Sequence, residues 1–183
     1  MQYGTIYADP PWKLSGGKNG KSGFSKSVSP DVHYPLLKTP EIMSMPVQDL
    51  ALPDSHLYLW AVNGMLPDAL RVMEAWGFRY VTNLCWDKTT GYGMGQYFRT
   101  DHELLLFGVR GNPGYKRDSR GKKCQARSVI HAPRGRHSEK PAEVRSVIQH
   151  VSRGPYLELF CRRPASGWHV WGNEVQSDIS LVV

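Results

Sequence analysis

A chain of 183 residues with 40% hydrophobic and 21% charged residues has the composition of a single folded domain, residues 1–183, and excludes a disordered or low-complexity protein. No apolar run approaches the roughly 20 residues of a bilayer-spanning helix, and the strand-like pattern that begins at Tyr3 leaves no room for a signal peptide, so a cytoplasmic protein is expected. Twenty-three Lys and Arg against 16 Asp and Glu give a net charge of +7, which favours a polyanionic partner; Cys85, Cys124 and Cys161 are too dispersed to form a metal-ligand or redox pattern.

The first strand is expected at 3–8 and ends in Tyr7-Ala8-Asp9-Pro10-Pro11-Trp12. A long basic loop follows at about 13–35, where residues 14–30 are rich in Gly, Ser and Lys and carry no acid. A short helix is expected from Thr39, with Thr39 as its N-cap. Residues 56–62 then read as a strand, and 67–76 as a helix opened by Pro67 and closed by Gly77. Strands follow at 80–87 and 103–109, separated by a Gly91-Tyr92-Gly93-Met94-Gly95 loop that lacks the spacing of a dinucleotide fingerprint. Residues 110–127 form a second basic loop, in which Asp118 is the one acid among seven Lys and Arg. A strand at 128–132, a helix at 141–151 with Val144, Val147, Ile148 and Val151 on one face, and a strand at 156–162 complete the order. Leu57-Tyr58-Leu59-Trp60 and Leu104-Leu105-Leu106-Phe107 are continuous apolar runs, which suits strands buried on both faces. Strands alternating with helices predict an open, largely parallel α/β sheet.

In such sheets ligands bind beyond the carboxyl ends of the strands, where Asp9 stands. Two prolines cannot continue a strand, so the chain turns there and aims the Asp9 and Pro10 carbonyls in fixed directions. A carboxylate and a carbonyl placed together can grip both N–H bonds of a poorly nucleophilic aromatic amine such as that of adenine, returning density to its lone pair. Trp12 offers a flat face for an unstacked base, a contact worth about 1–3 kcal/mol. Taken alone, such a turn is more often a rigid structural elbow than a catalytic one. A second block, from Tyr156 to Arg162 and from Gly167 to Glu174, places the carboxylate of Glu158 in a buried strand, where it needs a partner. Arg162 and ribose hydroxyls are two candidates. Gly172 permits close backbone approach to a ligand, and Asn173 supplies a donor and an acceptor.

Together these blocks resemble the MT-A70 family of adenine-N6 methyltransferases over nearly the whole chain, through D-P-P-W, S-H-L-Y-L-W-A-V, A-W-G-F-R-Y-V, L-C-W-D-K-T, H-E-L-L-L-F-G-V-R-G, H-S-E-K-P-A-E-V and L-E-L-F-C-R-R…G-W-H-V-W-G-N-E. The resemblance implies a Rossmann-like methyltransferase fold, a mostly parallel sheet with helices on both faces, and S-adenosylmethionine as cofactor, leaving as S-adenosylhomocysteine, with no metal. It implies catalysis by Asp9, Pro10, Pro11 and Trp12, and cofactor contacts from Ala8, Asp9, His102, Glu158, Arg162, Gly172, Asn173 and Glu174. His102 and Glu103 fall in the family's substrate-proximal loop, and Lys140 heads its K-P helix. Nucleic-acid contacts are expected from Lys13, Lys18, Lys21, Tyr34, Lys88, Lys122, Lys123 and Lys140. The function expected is methylation of the N6 amine of adenine in DNA, in a bacterial or phage-infected cell, by a chain acting alone, as a homodimer or with a partner subunit. RNA adenosine methylation and a non-catalytic nucleic-acid-binding subunit are the alternatives.

Overall fold

The computed structural model describes residues 1–13, 36–91, 97–135 and 139–181. Its strands are β1 (Tyr3–Ala8), β2 (Ala51–Ala61), β3 (Arg79–Lys88), β4 (His102–Arg110), β5 (Val129–Ala132), β6 (Tyr156–Leu159) and β7 (Trp168–Trp171). Its helices are α1 (Thr39–Met43), α2 (Val47–Leu50), α3 (Leu66–Ala75) and α4 (Glu143–Val151). The strands form one seven-stranded sheet in the order β5-β3-β4-β2-β1-β6-β7. Pairing is parallel except on both sides of β4, which runs against β2 and β3. This is the mostly parallel, Rossmann-like α/β sheet expected. Among the described residues no helix is long and apolar enough to cross a membrane.

Every residue of β1 is buried, as a central strand covered on both faces requires. On one face Ile6, Ala8, Leu57 and Leu59 pack with Ile42 of α1, Val47 of α2, and Val72 and Met73 of α3. On the other, Tyr7, Tyr58, Trp60, Trp86 and Leu105 pack with Val144 and Ile148 of α4. Alternate residues of β1 and β2 thus serve two cores, following the period-two geometry of strands.

Several boundaries differ from the sequence reading for local reasons. Lys38, not Thr39, caps α1, its backbone N–H donating to the Glu41 carboxylate at 2.6 Å. β2 begins at Ala51 and runs through Pro53, a residue that argues against a strand when read alone. α4 starts at Glu143 because residues from Pro141 first make a tighter turn, with the Val144 N–H on the Pro141 carbonyl at 3.2 Å. β6 stops at Leu159 since Phe160 adopts φ 61°, a left-handed conformation that turns the chain out of the sheet. Trp168–Trp171, to which the sequence reading assigns no element, is strand β7.

Candidate active site

β1 is the turning point of the sheet: the chain passes from it to β2 by way of α1 and α2, and reaches β6 by way of α4 on the opposite face. Connections that leave in opposite directions open a crevice at the carboxyl ends of these strands. That crevice is a cavity of about 450 Å³. Asp9, Pro10, Pro11 and Trp12 form one wall, Phe160 to Arg162 and Trp171 to Glu174 the other, with Leu37, Val62, Glu103 and Lys140 between. The two blocks singled out in the sequence, far apart in the chain, meet across it.

The elbow after β1 is tied down by its own backbone. The Trp12 N–H donates to the Pro10 carbonyl at 2.9 Å, the Leu37 N–H to the Pro11 carbonyl at 2.8 Å, and the Lys13 N–H to the Leu37 carbonyl at 2.8 Å. Pro10 therefore keeps one of its two acceptor lone pairs for a ligand. Trp12 is only 7% exposed, and its indole N–H donates to the Trp60 carbonyl at 3.0 Å. The open stacking face expected of it is thus largely covered, and its first role is to brace the elbow.

A chain of alternating charges enters the crevice from beneath. Lys140 Nζ lies 2.9 Å from Asp9 Oδ1 and 3.3 Å from Glu103 Oε2, and Lys88 Nζ lies 2.6 Å from Glu103 Oε1. Burial alone would lower the Lys140 pKa, but Asp9 and Glu103 outweigh it and hold the ammonium above its ordinary value. For Glu103 burial pushes upward, and the two lysines outweigh it and hold the carboxyl below the usual range. Both lysines also lie over indole rings, Lys140 Nζ at 5.3 Å from the Trp60 centroid and Lys88 Nζ at 5.2 Å from Trp86. Residue types read singly gave no sign of this network; only the pairing of Trp86 with Glu103 across β3 and β4 brings Lys88 to the site.

Glu158 does not pair with Arg162, one of the two partners considered from sequence. Arg145 of α4 grips it with two bonds, Nε to Oε2 at 2.6 Å and Nη2 to Oε1 at 3.0 Å. Burial nevertheless outweighs this contact and raises the Glu158 pKa, while Arg145 stays above its ordinary value because Glu158 overcomes its own burial. Glu158 lines an adjoining cavity of about 340 Å³ that shares Asp9, Lys140, Phe160, Arg162 and Glu174 with the crevice. Arg162 faces Glu174 instead, Nε to Oε1 at 3.8 Å.

The remaining expected residues divide clearly. Arg162, Gly172, Asn173 and Glu174 line the crevice. Ala8 is fully buried behind it, and His102 stands outside it, bonded to Asn63 and Asp101. The approach that Gly172 permits is to protein rather than ligand: a Cβ there would meet the backbone oxygen and nitrogen of Cys161. Of the nucleic-acid contacts, Lys18, Lys21 and Tyr34 lie outside the described residues, as does most of the Gly91–Gly95 loop. Lys13 is exposed beside the elbow. Lys88, 8% exposed beneath Glu103, and Lys140, paired with Asp9, belong to the interior of the site and do not present a phosphate-binding surface. Lys122 and Lys123 are exposed, but their loop is fastened to the far end of α4 by Lys116, which donates to the Gln149 carbonyl, and by Arg153, which donates to the Tyr115 carbonyl at 3.0 Å. They therefore stand away from the crevice, and a contact of theirs with nucleic acid would fall at a distance from it. Among the described residues no group of three His, Cys, Asp or Glu could hold a metal.

A mostly parallel sheet opens a switch-point crevice, walled on one side by an acidic Pro-Pro elbow. The MT-A70 family model matches residues 3–174, and the chain belongs to that family. It is similar to the type II methyltransferase M.MunI of Mycoplasma, with 30% identity over 95% of this chain and 78% of that protein. It is similar also to the human N(6)-adenine-specific methyltransferase METTL4, 26% identical over 94% of this chain and 37% of that one. The zebrafish (Danio rerio) N(6)-adenosine-methyltransferase subunit METTL3 is 27% identical over 95% of this chain and 28% of its own length. The chain therefore spans most of the first relative but well under half of the other two. The cofactor of this family of methyltransferases is S-adenosylmethionine.

Proposed function

We propose that this chain transfers the methyl group of S-adenosylmethionine to the N6 amine of adenine in DNA, in the cytoplasm of a bacterial or phage-infected cell. The observation that carries the reading is the meeting of the Asp9 elbow with Asn173 and Glu174 across one crevice. Its volume of about 450 Å³ suits a nucleoside-sized ligand. Phe160, Trp171 and Val62 give apolar walls for an adenine ring, Asn173 and Glu174 offer partners for ribose hydroxyls, and the oppositely charged Asp9, Lys140 and Arg162 suit an amino-acid zwitterion. The cofactor, when bound, supplies an electrophilic methyl carbon on a sulfonium.

The chain's own residues would do the rest. Asp9 Oδ1 is held by Lys140, which leaves Oδ2 to accept one N–H of the target amine while the Pro10 carbonyl accepts the other. These contacts strengthen as the nitrogen becomes tetrahedral and cationic, so they favour the transition state over the bound substrate. Asp9 is then placed to take the proton that the methylated nitrogen releases. Lys140 orients the carboxylate and neutralises it until substrate arrives. The 30% identity to a type II methyltransferase, higher than to the N(6)-adenosine enzyme above, favours DNA over RNA.

The test is to incubate the protein with labelled S-adenosylmethionine and either DNA or RNA of matched sequence, digest the product and identify the nucleoside. N6-methyldeoxyadenosine is the expected product, and labelled RNA with unlabelled DNA would overturn the substrate. Asp9→Ala should lower turnover about a hundredfold to a thousandfold, the scale of losing an essential polar group in a transition state. Calorimetry of that variant with S-adenosylhomocysteine should show affinity reduced far less than turnover; a large residual rate would remove Asp9 from the chemistry.

A further inference from the structure

A second cavity of about 430 Å³ lies on the α4 side of the sheet, where residues 111–128 fold back over β3 and β4. It is separate from the crevice: Val109 on its wall and Glu103 in the crevice stand about 20 Å apart along β4. Its floor is apolar, formed by Tyr58, Leu84, Phe107 and Val147.

One polar group interrupts that floor. His56 is 7% exposed, and its Nδ1 lies 2.8 Å from Ser152 Oγ, which in turn lies 2.7 Å from the Tyr58 hydroxyl. Nothing among the described residues pairs with its Nε2, although His56 lines the cavity. Burial, with a smaller contribution from Arg153, lowers the His56 pKa to about 4, so the ring is neutral and offers one donor or one acceptor. A ring nitrogen that faces the cavity without a protein partner is a hydrogen-bonding point for an occupant.

The mouth has the opposite character. Arg79 and Arg127 line it, and no Asp or Glu stands among the described residues of the wall. Tyr115, 58% exposed, lines it too, with Lys123 Nζ 3.9 Å from its ring centroid. The ligand that fits is flat and apolar on its faces, polar at one edge and negatively charged at the other end.

We infer that this cavity is a second nucleotide-binding site, taking a nucleobase against Phe107 and Tyr115, its polar edge on His56 and its phosphate on Arg79 and Arg127. Aromatic faces, a hydrogen-bonding floor and a cationic mouth are what a nucleotide needs, and a purely hydrophobic ligand would leave the arginines and Nε2 unused. The nucleotide can be free, or an unstacked unit of a polynucleotide strand. None of these residues touches the crevice, so the inference does not rest on the methyl-transfer reading.

The experiment titrates adenosine monophosphate into the full chain, followed by calorimetry and by the NMR signals of the His56 ring. The His56 signals should move with a saturating profile. The double variant Tyr115→Ala, Arg127→Gln, at two exposed positions, should weaken the binding that the His56 signals report about tenfold or more, whereas Asn173→Ala in the crevice, which can remove only a separate calorimetric component, should leave the His56 profile unchanged. A short single-stranded oligodeoxynucleotide that displaces the mononucleotide assigns the site to a strand, and one that does not assigns it to a free nucleotide. His56 signals that stay fixed at millimolar nucleotide would overturn the proposal, as would a His56 response lost in Asn173→Ala but kept in the double variant.

Discussion

The Trp12 indole, with its N–H on the Trp60 carbonyl and its rings in the core shared with α1 and α3, holds the elbow that carries Asp9. Trp12→Phe keeps an aromatic ring but leaves a buried carbonyl without its donor, an expected loss of about 1–3 kcal/mol that a urea titration would read. Trp12→Ala adds a cavity and should cost about 3–5 kcal/mol. A stability equal to the parent's in the phenylalanine variant would mean that the bond does not brace the elbow. His56 carries a different residue-scale consequence. Its folded pKa of about 4 lies below the ordinary 6.5, so the unfolded chain binds the extra proton first as pH falls. This contribution to stability is complete above pH 6.5 and is lost progressively towards pH 4. Between pH 7 and pH 5 the loss should be about 2 kcal/mol. His56→Gln should flatten that slope while retaining a hydrogen-bonding side chain; an unchanged slope would show that another group titrates there.

Elements with undivided apolar runs were legible in the sequence, because burial on both faces leaves a compositional mark. β1 matches its expected span, and β4 extends it by one residue at each end. β7 was not legible, since four residues with two tryptophans at a chain turn look the same whether or not they pair with β6. Half of the crevice was legible through the elbow and the Asn173 block, whose residue types announce their chemistry. The charge chain was not, because Lys88, Glu103 and Lys140 come from β3, β4 and the approach to α4, and only sheet register brings them together. That register makes Lys88 a positioning residue: it reaches Asp9 only through Glu103 and Lys140. Lys88→Met frees Glu103 to draw Lys140 away from Asp9. A fall in kcat of about tenfold is expected, with KM for nucleic acid and cofactor affinity little changed and Lys88→Arg largely restoring the rate. A purely structural Lys88 would instead lower the folded fraction while leaving kcat per active molecule intact.

At the scale of the whole molecule, the net charge of +7 has to be read through where its described lysines stand. The lysines that the structure places around the crevice, Lys88 and Lys140, are paired with Glu103 and Asp9. The hairpin around Asp118 carries Arg117, Lys122 and Lys123 in the loop fastened to the end of α4, away from the elbow. A duplex whose adenine occupies the crevice must therefore extend well beyond it to meet that loop. Glu103 and Val109 of β4, at the crevice and at the wall under that loop, are about 20 Å apart, the length of about six base pairs at a rise of about 3.4 Å each. Replacing both Lys122 and Lys123 by Gln should reduce the salt dependence of binding to a long duplex by about 2 in the log–log slope, near the value of two lost phosphate contacts. The same variant should bind a duplex trimmed to a few base pairs around the adenine as the parent does, and its affinity for S-adenosylhomocysteine should not move. Fluorescence anisotropy over a salt series with the two duplexes separates the cases. An equal loss of slope on the short duplex would place these lysines beside the crevice and contradict the attachment of their loop to the far end of α4.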